Sequence, residues 1–200
     1  MRAPAVLLLT MLPCAALAQG DQAPGQVEST THRHLGFFFR ADIGVGYVHS
    51  SSSWSDGPQP PVSGVGVPLG LAVGGAISED WILAGEVWGL AGQNADAQGK
   101  GLLAYGYALA VVHYFMPANV YLSASPGITR LVFVTNITTG ATSVNSDWGP
   151  GVKLALGKEW WVGDHWGLGI AAEIFLTFNK DGGAPRTTVA PGLTFSATFN

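Results

Sequence analysis

The chain has 200 residues, of which only 11% are charged, with 28 glycines, 7 tryptophans and a formal net charge of -4. Soluble domains carry roughly a quarter charged residues, so this composition argues against a surface covered by water. The slight acidity leaves no basic footprint for nucleic acid.

Taken in chain order, the first residues combine Arg2, the apolar stretch from Ala5 to Leu12 and an Ala16-Leu17-Ala18 site. That is the pattern of an export signal, and residues 1–18 are expected to be a cleaved signal peptide. Its apolar part is too short to cross a bilayer as a helix. Cys14 follows Pro13 rather than the small residue a lipoprotein signal wants, so it is expected to leave with the peptide. The mature chain then has no thiol for a disulfide, a metal or nucleophilic catalysis. Residues 19–36 are polar, contain Pro24 and Gly25 and show no period, which predicts a flexible periplasmic leader. His32 and His34 have a spacing that could hold a metal weakly, but in such a stretch they read as solvated polar residues.

A barrel domain is expected over 37–200. Eight alternating runs fall at 37–49, 65–77, 81–90, 102–115, 120–135, 148–160, 166–178 and 188–199. Each is near the roughly 9–11 residues that a tilted transmembrane strand needs, and a closed single-chain barrel requires an even number. The connections 78–80, 116–119 and 161–165 are short, whereas 50–64, 91–101, 136–147 and 179–187 are longer and rich in Ser, Gly, Asn and Asp. Short turns on one side and long loops on the other are the asymmetry of outer-membrane barrels, and this pattern places both termini in the periplasm. Runs 65–77 and 102–116 fall short of about 18 apolar residues and carry Gly, Pro or His, which argues against membrane helices.

Assigning faces tests this reading further, because successive side chains on a strand point to opposite sides. With Phe37, Phe39, Ile43, Val45 and Tyr47 outward, Arg40 and Asp42 point inward with Gly44 and Gly46. The same rule sends Glu86, Lys153, Glu159 and Glu173 inward, beside many of the glycines and alanines. Trp81, Trp160, Trp161 and Trp166 flank the short turns, where indoles anchor at a membrane interface. Arg130 and His113 fall on the outer face. Snorkelling or a local bulge accounts for Arg130, and an interfacial position for His113.

The final run alternates Val189, Pro191, Leu193, Phe195, Ala197 and Phe199 with Thr188, Ala190, Gly192, Thr194, Ser196 and Thr198. This segment resembles the closing strand of a bacterial outer-membrane β-barrel, although Asn200 follows the terminal aromatic. With the strand count it makes the region 37–199 similar to the OmpA/OmpX-like and OmpW-like small barrels. The resemblance rests on architecture rather than on a family motif. It implies an all-β, eight-stranded antiparallel up-and-down barrel in the outer membrane of a Gram-negative bacterium, with a lumen closed by a charged network. It also implies outer-membrane lipid, lipopolysaccharide and the barrel-assembly machinery as partners, with any extracellular ligand unknown.

Arg40, Asp42, Glu86, Lys153, Glu159 and Glu173 are the candidate interior network, since an eight-stranded lumen is just wide enough for side chains to fill. Four acids face two bases, so at least one acid is expected to be protonated, solvated near a rim or paired through a neighbour's proton. Catalytic, cofactor and metal residues are expected to be none. His113 finds no Ser on its own face, because Ser123 and Ser125 point inward, and His49 beside Ser50 and Asp56 reads as a solvated loop. The expected role is a non-enzymatic envelope-structural or surface-interaction protein. The alternatives are a narrow channel for small or hydrophobic solutes and, third, a lipid-modifying enzyme.

Overall fold

The computed structural model describes residues 34–54, 59–93, 100–135 and 142–200. The expected signal peptide, most of the leader with His32, and parts of three outer connections lie outside the described residues.

Nine strands are present: β1 (Phe37–Ser52), β2 (Val62–Ser78), β3 (Trp81–Gln93), β4 (Gly101–Phe115), β5 (Val120–Thr135), the short β6 (Thr142–Asn145), β7 (Gly149–Trp161), β8 (Trp166–Asp181) and β9 (Ala184–Phe199). All neighbours are antiparallel. β1 pairs with both β2 and β9, and β4 pairs with β5, so the sheet closes on itself. β6 and β7 together form one stave beside β5. The register against β5 slips by one residue between them, from Val132↔Asn145 to Thr129↔Gly149. The architecture is therefore the expected eight-stranded up-and-down barrel.

Local chemistry explains the turns. Asp80 and Asn119 take positive φ (64° and 50°) in two of the short connections, a conformation that Asp and Asn tolerate better than most residues. The expected loop over 179–187 is instead a two-residue hairpin turn. Gly182 and Gly183 adopt φ of 57° and 88°, as a turn matched to strand twist requires. The strands continue past the apolar region because alternation persists in polar sequence, so the other long loops are also shorter than their composition predicts.

Outward positions carry the exposed apolar residues, among them Ile43, Leu71, Leu109, Leu122, Leu156 and Leu193. Inward positions are small, polar or tightly packed. In a closed sheet, such an apolar outer belt is the arrangement a bilayer demands. Trp81, Trp160 and Trp166 are exposed at the end with short turns, as expected. Trp161 is not part of that girdle. It follows the outward Trp160, so the strand pleat turns it inward, where its ring lies 5.1 Å from that of His34.

The ladder is interrupted where prolines replace N–H donors. Pairs are missing around Pro68 between β1 and β2, around Pro126 between β4 and β5, and around Pro191 between β1 and β9.

Leu193→Lys is expected to destabilise the folded barrel by about 2–4 kcal/mol, the cost of a lipid-facing charge near mid-bilayer. Thr194→Lys, one residue on and inward beside Glu173, should cost less. Denaturant titration in lipid vesicles measures both, and equal effects would contradict the assignment of faces.

Candidate functional site

The interior is layered, and the layers follow from which inward positions share a height. Nearest the short turns, Arg40 of β1 reaches across to β7. Its Nη2 donates to Glu159 Oε1 at 2.8 Å and to Tyr114 Oη at 2.5 Å, and its Nε donates to Thr198 Oγ1 at 3.2 Å. Glu159 also accepts from Thr198 (2.7 Å) and Tyr114 (3.1 Å). The guanidinium lies over Tyr121, 4.1 Å from the ring centroid. A buried ion pair is tolerable only when its remaining donors and acceptors are satisfied, and here the Tyr114 and Thr198 hydroxyls contribute to that.

One layer further out, Lys153 pairs with Glu86 and, at 3.7 Å, with Asp42. Gly70 makes room for this group, because a Cβ there would meet Asp42 Oδ2 at 2.6 Å. Glu173 joins the same layer without a cation. Its Oε2 accepts from Thr194 at 3.5 Å, and its Oε1 has no hydrogen-bond partner. Asp42 Oδ1 and Ser125 Oγ are likewise unsatisfied, and all three residues border a cavity of about 20 Å³. That is room for one water-sized particle, and two acceptors with a hydroxyl are the partners a buried water uses.

The six sequence-expected residues thus all face the lumen, but as two clusters and a remainder. Arg40 and Glu159 form one cluster, Lys153 with Glu86 and Asp42 the other, and Glu173 stands beside the second. Above them an apolar layer of Val48, Trp88, Leu90, Leu102, Leu131 and Phe175 fills the bore.

Sequence reasoning missed both ends. At the outer mouth Arg186 is 1% exposed. It bonds Ser50 O at 3.4 Å and the Gln59 carbonyl, pairs with Asp181 at 3.7 Å, and lies over the Phe133 ring. Arg186 is in phase with the inward Thr188 and Ala190, but the polar composition of 179–187 reads as a loop. At the opposite end His34 is fully buried rather than solvated. Its ring stacks on Tyr114 with centroids 3.4 Å apart, and Nε2 hydrogen bonds to Asn119 Oδ1 at 2.8 Å. A polar stretch has no period to reveal such a contact. Only a tertiary cavity floored by an aromatic ring draws it in.

The remaining candidates are peripheral. His113 stacks on Trp81 at 4.4 Å and meets Phe115 edge-on, an interfacial position as expected. His49 Nδ1 bonds Ser63 Oγ at 2.7 Å across the β1–β2 ladder, exposed at the outer rim, and Asp56 lies outside the described residues. Arg130 donates from Nε to Ser146 O at 3.0 Å, at the register slip between β6 and β7.

No family model and no curated protein matches the sequence. Among solved structures, the chain is similar to Neisserial surface protein A, with a TM-score of 0.57 at 14% identity over 82% of this chain and 96% of that one. It also aligns with Ail of Yersinia pestis (TM-score 0.46, 11% identity, 81% and 99% coverage) and with OprG of Pseudomonas aeruginosa (0.39, 10%, 85% and 99%). The fold is that of the small outer-membrane β-barrels.

Glu159→Gln is expected to destabilise the barrel by about 3–5 kcal/mol, because it leaves Arg40 buried without its counter-ion. Glu173→Gln removes no ion pair and should change stability by less than about 1 kcal/mol. The midpoints of unfolding in urea, read by tryptophan fluorescence, distinguish the two. Equal losses would show that Glu173 is held by a cation after all.

Proposed function

We propose that this protein is a non-enzymatic barrel of the bacterial outer membrane that serves as an envelope-structural or surface-interacting element. The carrying observation is the filled lumen. Two salt-bridged clusters are packed among apolar side chains such as Phe38 and Val112, a further apolar cluster fills the bore, and Arg186 ties Ser50, Gln59 and Asp181 together near the outer mouth. A conduit needs a continuous hydrated path, whereas the cavity among the central charges measures only about 20 Å³. Conduction would require breaking buried ion pairs, each costly to open.

With the bore occupied, the surfaces left for function are the lipid-facing wall and the outer connections. Loops held on a rigid scaffold are where recognition is commonly built, and this barrel supplies such a scaffold. The signal-like start of the sequence supports export, with the mature chain beginning near Gln19.

Reconstituted in a planar bilayer, the purified barrel is expected to show no steady conductance. Sustained channel activity that changes in Glu86→Gln would overturn this reading in favour of a channel. N-terminal sequencing of material from the outer-membrane fraction should begin near Gln19, and recovery of the protein as a soluble periplasmic species would contradict the localisation.

A further inference from the structure

Arg40, Lys153 and Arg186 point inward with the acids, so the charges left on the outer face of the described strands are all basic. Among the described strand residues every acid points inward, whereas Arg130, Lys158 and Lys180 lie on the outer face. Lys158 is at the periplasmic rim, where its ammonium leans over Trp160 and donates to the Ala118 carbonyl at 2.5 Å. The other two cations belong to the opposite rim.

Arg130 is the tenth residue beyond Val120, the first of β5. At about 3.3 Å per residue and a tilt near 40° it stands roughly 25 Å above that end, which is about the height of the apolar band of such barrels. It is therefore level with the headgroups of the outer leaflet. An aromatic cluster lies beside it. Its guanidinium lies 5.8 Å from the Trp148 ring, and Trp148 contacts Tyr105 edge-on at 5.6 Å and Tyr107 at 6.0 Å. Tyr105 is also the ladder partner of Arg130. Because Nε is used on Ser146 O, the guanidinium is fixed in direction, and its terminal nitrogens have no bond among the described residues.

Lys180 stands on the far side of Trp148. Its carbonyl accepts the Asp147 N–H at 2.7 Å, one residue before Trp148, and its side chain is exposed, with no partner among the described residues. β7 separates it from Arg130, so the two backbones are about 10 Å apart, two interstrand spacings. Asp147 presents an exposed carboxylate in this neighbourhood, whereas Asp181, next to Lys180, turns inward and pairs with Arg186.

We infer that Arg130 and Lys180, flanking Trp148, form a binding site for the phosphate groups of an acylated lipid in the outer leaflet. An oriented guanidinium is suited to bidentate phosphate contact, Lys180 adds a mobile point charge, and the indole and phenol rings seat the sugar or glycerol between headgroup and chains. Acyl chains then run down the apolar wall below. Free phosphate would share the cationic contacts but not the aromatic or apolar ones. The inference rests on the barrel spanning the outer membrane and is independent of whether its lumen conducts.

The test uses the full chain folded in neutral detergent, with native mass spectrometry counting retained lipid. The probes are a bisphosphorylated, acylated glucosamine disaccharide, the same lipid stripped of phosphate, and inorganic phosphate. The wild-type barrel should hold the phosphorylated lipid. Lys180→Gln, an exposed substitution that breaks no contact in the fold, should weaken it about tenfold, and Arg130→Gln with Lys180→Gln about a hundredfold, one charge-assisted contact each. Arg130→Lys, which keeps the charge but not the guanidinium fork, should lose part of the affinity and bind better than Arg130→Gln, and Lys158→Gln at the other rim should match the wild type. Undiminished binding by Lys180→Gln or the double variant would overturn the site. So would an equal loss in Lys158→Gln, equal retention of the dephosphorylated lipid, or full displacement by inorganic phosphate. Mislocalisation of the protein in cells would instead count against the membrane reading itself, because the detergent measurement does not depend on it.

Discussion

A sheet closed inside lipid leaves each side chain only two destinations, because the pleat alternates strictly and no water reaches the outer face. Every other feature of this barrel depends on that constraint. Charged residues on the strands must go inward or reach a rim, and with eight strands the inside has no room for bulk water to solvate them. They are therefore obliged to meet one another. Arg40 on Glu159 and Lys153 between Glu86 and Asp42 are what that obligation produces. The small residues between them, such as Gly70 beneath Asp42, are its steric counterpart.

The same constraint explains how the two ends are sealed. Inward-facing apolar layers cannot be left open to water, and the polar termini of the strands supply side chains that cap them. Arg186 caps the outer layer with its guanidinium over Phe133, and it donates to carbonyls at the mouth. His34 caps the other end by covering the Tyr114 ring, whose hydroxyl is already committed to Arg40 and Glu159. The N-terminal approach to β1 is thus tied, through one tyrosine, to the lower charged cluster.

The fold was legible in the sequence because period-2 alternation is a local property, readable one strand at a time. Strand number and the inward direction of all six charged residues came from it. What alternation does not contain is height. Arg40 and Asp42 share a face on one strand, yet Arg40 pairs with Glu159 on β7 and Asp42 with Lys153, because stagger between strands decides which inward residues stand level. Composition misled at the strand ends, where polar residues such as Arg186 suggested loop although their phase was that of the strand. Trp161 was misplaced by the opposite error, since its residue type suggested an interface while its phase pointed inward.

Glu173 shows where these rules leave a residue without a solution. Its strand phase points it inward, and ladder pairing sets Ala155 of β7 on one side and Gly192 of β9 on the other, so neither neighbour offers it a charge. Lys153, two positions from Ala155, is already engaged by Glu86 and Asp42. Of the two acids in excess, one is accommodated where Asp42 and Glu86 share Lys153, and Glu173 is left without an ion pair. Glu173 lies beside the central cavity, where Ser125 and Asp42 also have oxygens to satisfy. A void among polar groups costs less than one lined by methyl groups only if something polar occupies it. The small cavity and the unpaired carboxyl are thus one feature, the place where inward charge exceeds what the strands opposite can neutralise.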